Sequence, residues 1–183
     1  MKSVLEIGVG GYGNPVSGGA SLRMWRSYFP SATVYGLDIS PKRLPPEPRI
    51  VVLEGDQSDE AFLTRLAASY GPFDLVVDDG SHLGRHQRAS FAALFPAVRP
   101  SGLYVIEDLE TAYWEDWEGG PPGTTGTGVD LAKELLNDVN IGPRAVASVY
   151  VYPDIVFIER AAFPARLQPP VSRPDLTAKG TDR

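Results

Sequence analysis

The chain has no cysteine. That excludes a disulfide framework, a thiolate metal centre and a thiol nucleophile. Histidine is nearly absent too, with only His82 and His86, so imidazole chemistry has two possible sources. Basic charge is in deficit: 17 Lys and Arg stand against 23 Asp and Glu, a formal net charge of −6. No basic stripe interleaved with aromatics occurs, which argues against a nucleic-acid backbone as the main partner. No apolar run approaches the length of a membrane span. The opening MKSVLEIGVGG enters a glycine loop too soon for a secretory signal peptide, so a cytoplasmic location is expected. Internal repeats are missing as well. What remains, 183 residues at 43% hydrophobic and 22% charged, is ordinary globular material for one domain with a sizeable core.

Short apolar runs that end in acid are abundant. They read VLEIG, VYGLD, IVVLEGD, FDLVVDD and LYVIED. Stretches of helical periodicity lie between most of them, near Ala20–Phe29, after Ser58 or Asp59 and near Gly84–Phe95, and a further one follows the last run over Val129–Asn140. Runs of this kind, alternating with helices, predict a parallel α/β sheet. The linker SPKRLPPEP is too proline-rich for a helix, and residues 112–128 read as a mobile loop with aromatic anchors. ASVYVY and IVFIE around Pro153-Asp154 read as a hairpin. The expected architecture is therefore a doubly wound, mostly parallel, seven-stranded Rossmann-like sheet with a C-terminal antiparallel hairpin, the methyltransferase variant of that fold. The domain is expected over residues 1–162, with 163–183 a polar, proline-rich disordered tail. The sheet starts almost at residue 1, without leading helices over the crevice, so a second subunit is expected to supply a wall.

Parallel sheets bind ligands outside the carboxyl ends of their strands. Seven carboxylates belong there: Glu6, Asp38, Asp56, Asp78, Asp79, Glu107 and Asp108. An acidic rim repels a pyrophosphate and favours cations. The cations that fit are the sulfonium and ammonium of S-adenosylmethionine, and a divalent metal. Gly8-Val9-Gly10-Gly11-Tyr12-Gly13 has the form G-x-G-x-x-G. A dinucleotide fingerprint opens straight into a helix, whereas Pro15, Gly18 and Gly19 delay the helix here. The loop suits S-adenosylmethionine instead: Gly8 and Gly10 allow close backbone approach, and the helix start near Ser21 can receive the methionine carboxylate. Asp38 is placed to accept from ribose hydroxyls, with a turn or cap aspartate as the competing role. Asp56 and Gln57 are placed near the adenine, with helix capping by the DQSD segment as the competitor.

Asp78-Asp79 and Glu107-Asp108 are adjacent acid pairs at neighbouring strand ends. Like charges this close need a compensating cation, although solvated surface acids would produce the same pattern. Three oxygen ligands with open positions suit magnesium, or manganese. His82, beside these acids, is the preferred general base. His86, four residues on, is assigned to support by hydrogen bonding. A histidine–carboxylate metal site using both is the rival.

The segment DDGSH…H…SF..LFP.VRPSGLYVIEDLETAYW…GG, residues 78–120, resembles the metal-dependent sugar O-methyltransferases of macrolide biosynthesis, the macrocin and mycinamicin type. LEIGVGGYGNP…GGASLRMWRSYFP and YGLDIS are similar to the cofactor half of that family. The resemblance covers roughly residues 4–160. It implies Asp79, Glu107 and Asp108 as metal ligands and His82 as base. It implies Glu6, Gly8, Asp38, Asp56 and Gln57 around S-adenosylmethionine, and we group Gly10, Ser21 and Asp78 with them. The macrolide enzymes can carry an extra N-terminal domain, and the segment after Trp117 is short and glycine-rich here. Both departures bear on the acceptor more than on the chemistry. The expected function is methyl transfer to a hydroxyl of a sugar or diol on a small natural product, in a homo-oligomer. The alternatives are an NAD(P)-dependent oxidoreductase, a non-catalytic S-adenosylmethionine-binding scaffold, and a metal-dependent hydrolase or hydroxylase built on Asp79, His82 and His86.

Overall fold

A computed structural model describes residues 1–141 and 145–162; the expected tail lies outside the described residues. The order of elements is β1 (Ser3–Ile7), α1 (Ala20–Tyr28), β2 (Thr33–Asp38), β3 (Ile50–Glu54), α2 (Glu60–Tyr70), β4 (Phe73–Asp78), α3 (Gly84–Leu94), β5 (Val98–Ile106), α4 (Gly128–Ile141), β6 (Val146–Tyr152) and β7 (Ile155–Arg160). The strands form one sheet in the order β3-β2-β1-β4-β5-β7-β6. Pairs from β3 through β5 are parallel, and β7 runs antiparallel to both β5 and β6. This is the doubly wound sheet with a terminal hairpin that the apolar runs predicted.

Successive strand residues face opposite sides of a sheet, and the apolar runs therefore feed two cores. Leu5, Ile7, Leu37, Phe73, Val76 and Tyr104 pack with Leu63, Leu94 and Leu131 on the side of α2, α3 and α4. Val4, Val34, Leu75, Val77 and Val105 pack with Leu22 on the side of α1. Leu5 is fully buried in the central strand. Truncation there removes apolar contact and leaves a cavity, so Leu5→Ala is expected to cost about 2–5 kcal/mol. Urea unfolding followed by circular dichroism checks this; a cost below about 1 kcal/mol would contradict the central placement of β1.

Local chemistry explains the helix boundaries. Asp59 caps α2, accepting the Phe62 N–H at 2.9 Å. Helix α1 begins after Gly18 and Gly19, both at positive φ, and closes before Pro30. No helix spans the connection between β2 and β3, as its prolines predicted. No helix among the described residues is long and apolar enough to cross a membrane.

The segment read as a loop with aromatic anchors begins with ordered turns. Leu109–Tyr113 and Glu115–Trp117 form 3-10 turns. The Gly119 and Gly120 N–H groups donate back to Trp114 and Ala112 carbonyls at 2.9 and 3.0 Å, and the Trp114 and Trp117 rings meet edge-on at 5.4 Å. A Cβ on Gly119 would lie 2.5 Å from the Ala112 backbone. The glycine is there for close packing, a role that composition cannot distinguish from flexibility.

Candidate active site

The order of the strands reverses between β1 and β4, and the crevice opens outside their carboxyl ends. The loops after β1, β2, β4 and β5 deliver the candidate residues there. Gly8 has φ 94°, and a Cβ on it would sit 2.0 Å from the Asp79 carbonyl oxygen. Glycine is required at this point, and its absence of a side chain brings the β1 loop onto the acidic turn after β4.

Glu6 lies beneath the loop, on the α1 side of the sheet, and is almost completely buried. It accepts from the Ser21 hydroxyl and, at 2.5 Å, from the Trp25 indole N–H. Ser21 and Trp25 are one helical turn apart on α1, so both face the strand. Here the Ser21 hydroxyl is engaged by Glu6. Burial raises the Glu6 pKa to about 7, against those two bonds and with some help from the charges of Asp79 and Glu107. Asp38 accepts the Val9 N–H at 3.1 Å and the Ser40 N–H at 2.8 Å, tying the end of β2 to the glycine loop. Asp56 is exposed and accepts from Ser58 N and Oγ at 2.7 and 2.8 Å. Those bonds lower its pKa, led by the backbone one. Its geometry is that of a turn, and the helix cap expected as the competing role of the DQSD segment falls to Asp59.

The two acids at the end of β4 part company. Adjacent residues point to opposite faces, so only Asp79 enters the crevice. Asp78 is buried, receiving hydrogen bonds from Gln57 Nε2 at 2.6 Å, the Ser90 hydroxyl at 2.5 Å and the Tyr104 hydroxyl at 3.2 Å. Burial raises its pKa, against these donors. Burial, then the Asp78 charge, holds the Tyr104 phenol well above its ordinary range. Gln57 spends its other end on the turn, its Oε1 accepting the Ser81 N–H at 3.0 Å. In this structure Asp78 and Gln57 brace the Asp79–His82 turn from below. Ser90 and Tyr104, which join them, had no signal in the sequence because their partners are 12 and 26 residues away.

Asp79, His82 and Asp108 converge: each offers a ligand atom within 4.8 Å of the others. His82 Nε2 lies 3.6 Å from Asp108 Oδ2. Both residues have left-handed backbones, φ 58° and 52°, uncommon for side chains other than glycine and costly enough to need outside support. Thr111 supplies some, its hydroxyl donating to the Asp108 carbonyl at 2.7 Å and reaching the His82 carbonyl at 3.3 Å. His86 Nδ1 pairs with the Ser81 hydroxyl at 2.8 Å, the supporting role the spacing suggested. His82 Nδ1 is buried and has no hydrogen-bond partner among the described residues.

Burial, then repulsion from Asp108 and Asp78, raises the Asp79 pKa to about 6. Burial and the charges of Asp79 and Asp108 also raise that of Glu107. Glu107 shares the crevice field with these groups but is not a member of the tight trio. The crevice gathers negative charge with oxygen and nitrogen donors, the chemistry of a hard divalent-cation site.

These raised carboxyls set a pH dependence. Each binds its proton more tightly folded than unfolded, so the metal-free protein is expected to lose stability as pH rises from 3.8, the ordinary value of Asp79, to about 7, the raised value of Glu6. A divalent cation should reverse this, raising the melting temperature more at pH 8 than at pH 5.5. Thermal melts with and without magnesium read the effect; an equal cation shift at both values would mean the carboxyls are not its site.

A methyltransferase-type Rossmann sheet with a carboxylate–histidine trio at its switch point defines the broad class. No family model matches the chain. It is 50% identical over 172 residues to the mycinamicin VI 2''-O-methyltransferase of Micromonospora griseorubida, covering 86% of this chain and 43% of that protein. It is 48% identical over 172 residues to the demethylmacrocin O-methyltransferase of Streptomyces fradiae, covering 86% and 44%. A solved methyltransferase of the mycinamycin biosynthetic pathway, in complex with Mg, SAH and mycinamycin VI, matches with a TM-score of 0.84 at 51% identity over 87% of this chain and 45% of that one. The chain thus spans less than half the length of these relatives. Over that span it is a close homologue of the macrocin- and mycinamicin-type sugar O-methyltransferases.

Proposed function

We propose that the chain carries out Mg-dependent O-methylation, moving a methyl group from S-adenosylmethionine to a sugar hydroxyl on a glycosylated small natural product. The observation that carries this reading is the convergence of Asp79, His82 and Asp108 at the switch point, in a chain homologous to enzymes of that activity. The donor set fits the metal: two carboxylates of the trio and the neighbouring Glu107 give three hard oxygen donors. Asp79, Glu107 and Asp108 would hold it. When bound, a divalent cation lowers the pKa of an acceptor hydroxyl and fixes its position. The methyl donor carries a sulfonium whose charge disappears on transfer, so in-line placement of the reactants is the main requirement.

The chain's residues do the rest. His82 Nε2 takes the hydroxyl proton, and the Asp108 carboxylate 3.6 Å away stabilises the resulting imidazolium. The freed oxygen pair bonds to the methyl carbon as the carbon–sulfur bond breaks, leaving a neutral thioether. The Gly8–Gly13 loop and Asp38 bind the donor, with Glu6 beneath them. The segment after Asp108 walls the acceptor side. A second reading, favoured by the trio itself, makes His82 a metal ligand rather than the base.

Isothermal calorimetry with S-adenosylmethionine, with and without magnesium and with NADH as control, tests the proposal. Binding of S-adenosylmethionine and not NADH is expected. The reverse would install the oxidoreductase alternative, and binding without turnover of any glycosylated acceptor would favour the scaffold. We also propose a homo-oligomer, supported by the exposed Tyr150, Val151 and Tyr152 on the edge strand β6. Light scattering after size exclusion should give more than one chain mass; a monomer at high concentration overturns it.

A further inference from the structure

The proline-rich connection between β2 and β3, which replaces a helix, holds one residue that neither the fold nor the chemistry above has used. The side chain of Lys42 is completely buried although its backbone is not. Its ammonium donates to the Gly10 carbonyl at 2.7 Å and to the Tyr12 carbonyl, and lies 3.6 Å from Asp38 Oδ2. An ammonium has three donors, and here they face three acceptors. Gly10, Gly11 and Tyr12 are consecutive left-handed residues, a conformation that a free glycine-rich loop holds only at an entropic cost. Lys42 offsets that cost by pulling two of their carbonyls onto one cation. The Arg43 N–H, donating to the Pro15 carbonyl at 2.6 Å, adds a second tie from the same linker to the same loop.

We infer that Lys42 is a positioning residue for the methyl donor: it locks the Gly8–Gly13 loop against Asp38 before the donor arrives. The inference rests on the methyltransferase reading and deepens it. A ligand whose competent site is only partly populated binds more weakly by that fraction, so a loosened loop lowers donor affinity and spares the later step. It also places one positive charge beside Asp38, within the otherwise acidic rim.

The test uses the whole chain with Lys42→Met, which keeps the stem and removes the donors and charge. Calorimetry with S-adenosylhomocysteine should show affinity reduced about ten-fold or more. The KM for S-adenosylmethionine should rise similarly, with kcat at saturating donor and the magnesium midpoint within about two-fold. An unchanged affinity, or a loss confined to kcat, overturns the inference. Amide hydrogen exchange without ligand supplies a separate reading: the Val9, Asn14 and Gly19 N–H groups, which donate to Asp38 and to the Gly11 and Val9 carbonyls, should exchange faster in the variant than in the wild type, and equal exchange overturns the clamp. If the wild type fails to bind S-adenosylhomocysteine, the methyltransferase reading fails, and the exchange comparison alone then decides whether Lys42 holds the loop. Should Lys42→Met not fold, Lys42→Gln is judged by the same criteria, because its amide reaches one carbonyl and carries no charge.

Discussion

Replacing His82 by alanine is expected to lower turnover by about 10²–10⁴-fold, the range for loss of a positioned general base. Affinity for S-adenosylhomocysteine and for magnesium should be unchanged, because the proposed donor contacts lie in the β1 and β2 loops and three carboxylates remain for the metal. Three readouts separate the possible roles. Turnover lost with metal affinity kept marks a base. Turnover lost together with metal affinity marks a ligand, which is what the position of His82 between Asp79 and Asp108 would equally permit. Turnover kept under saturating substrates removes His82 from the mechanism.

The second large effect belongs to Asp79. Asp79→Asn keeps the shape of the side chain and removes the charge at the mouth of β4. Magnesium affinity should fall by about 100-fold or more, beyond the 10–100-fold typical of changing a residue that only supports a ligand. The same change removes one of the acids that repel each other in the crevice. The metal-free protein should therefore lose part of its destabilisation above pH 6 even while activity disappears. Melting curves across pH and magnesium titrations of activity measure both. If magnesium still stimulates the variant with an unaltered midpoint, Asp79 is not a ligand and the metal site has to be sought elsewhere along the rim.

Much of this was legible in one dimension, and the reason is periodicity. VLEI, VYGLD and FDLVVD had to be strands because they are short, apolar and bounded by turn residues, and their central places in the sheet follow from being apolar on both faces. Gly8 could be read as essential because a loop leaving a strand needs positive φ and close approach. Asp79, His82, Glu107 and Asp108 could be named because they follow strand ends. Two further positions carry a signal in spacing alone: Trp25 stands four residues after Ser21 on the helix facing Glu6, and Lys42 stands four residues after Asp38. The proline-rich surroundings of Lys42 read as a spacer, and its buried side chain has no counterpart in composition.

The sequence by itself determined the elements, the class of sheet, the acidic rim and the set of groups able to hold a cation, because each of these depends on side-chain type and on spacing within about ten residues. Only the tertiary structure decided which acids face which way. Asp78 and Asp79 look alike in the sequence, yet the pleat sends one into a network with Gln57, Ser90 and Tyr104 and the other to His82 and Asp108. It also decided that residues 109–120 fold back onto themselves, and that Lys42 closes over the glycine loop. The Asp78 network and the Lys42 clamp turn on contacts between residues 12 to 32 positions apart, and on which face a side chain takes once the sheet is assembled. Such contacts form only when burial of the two cores has fixed the distances between strands.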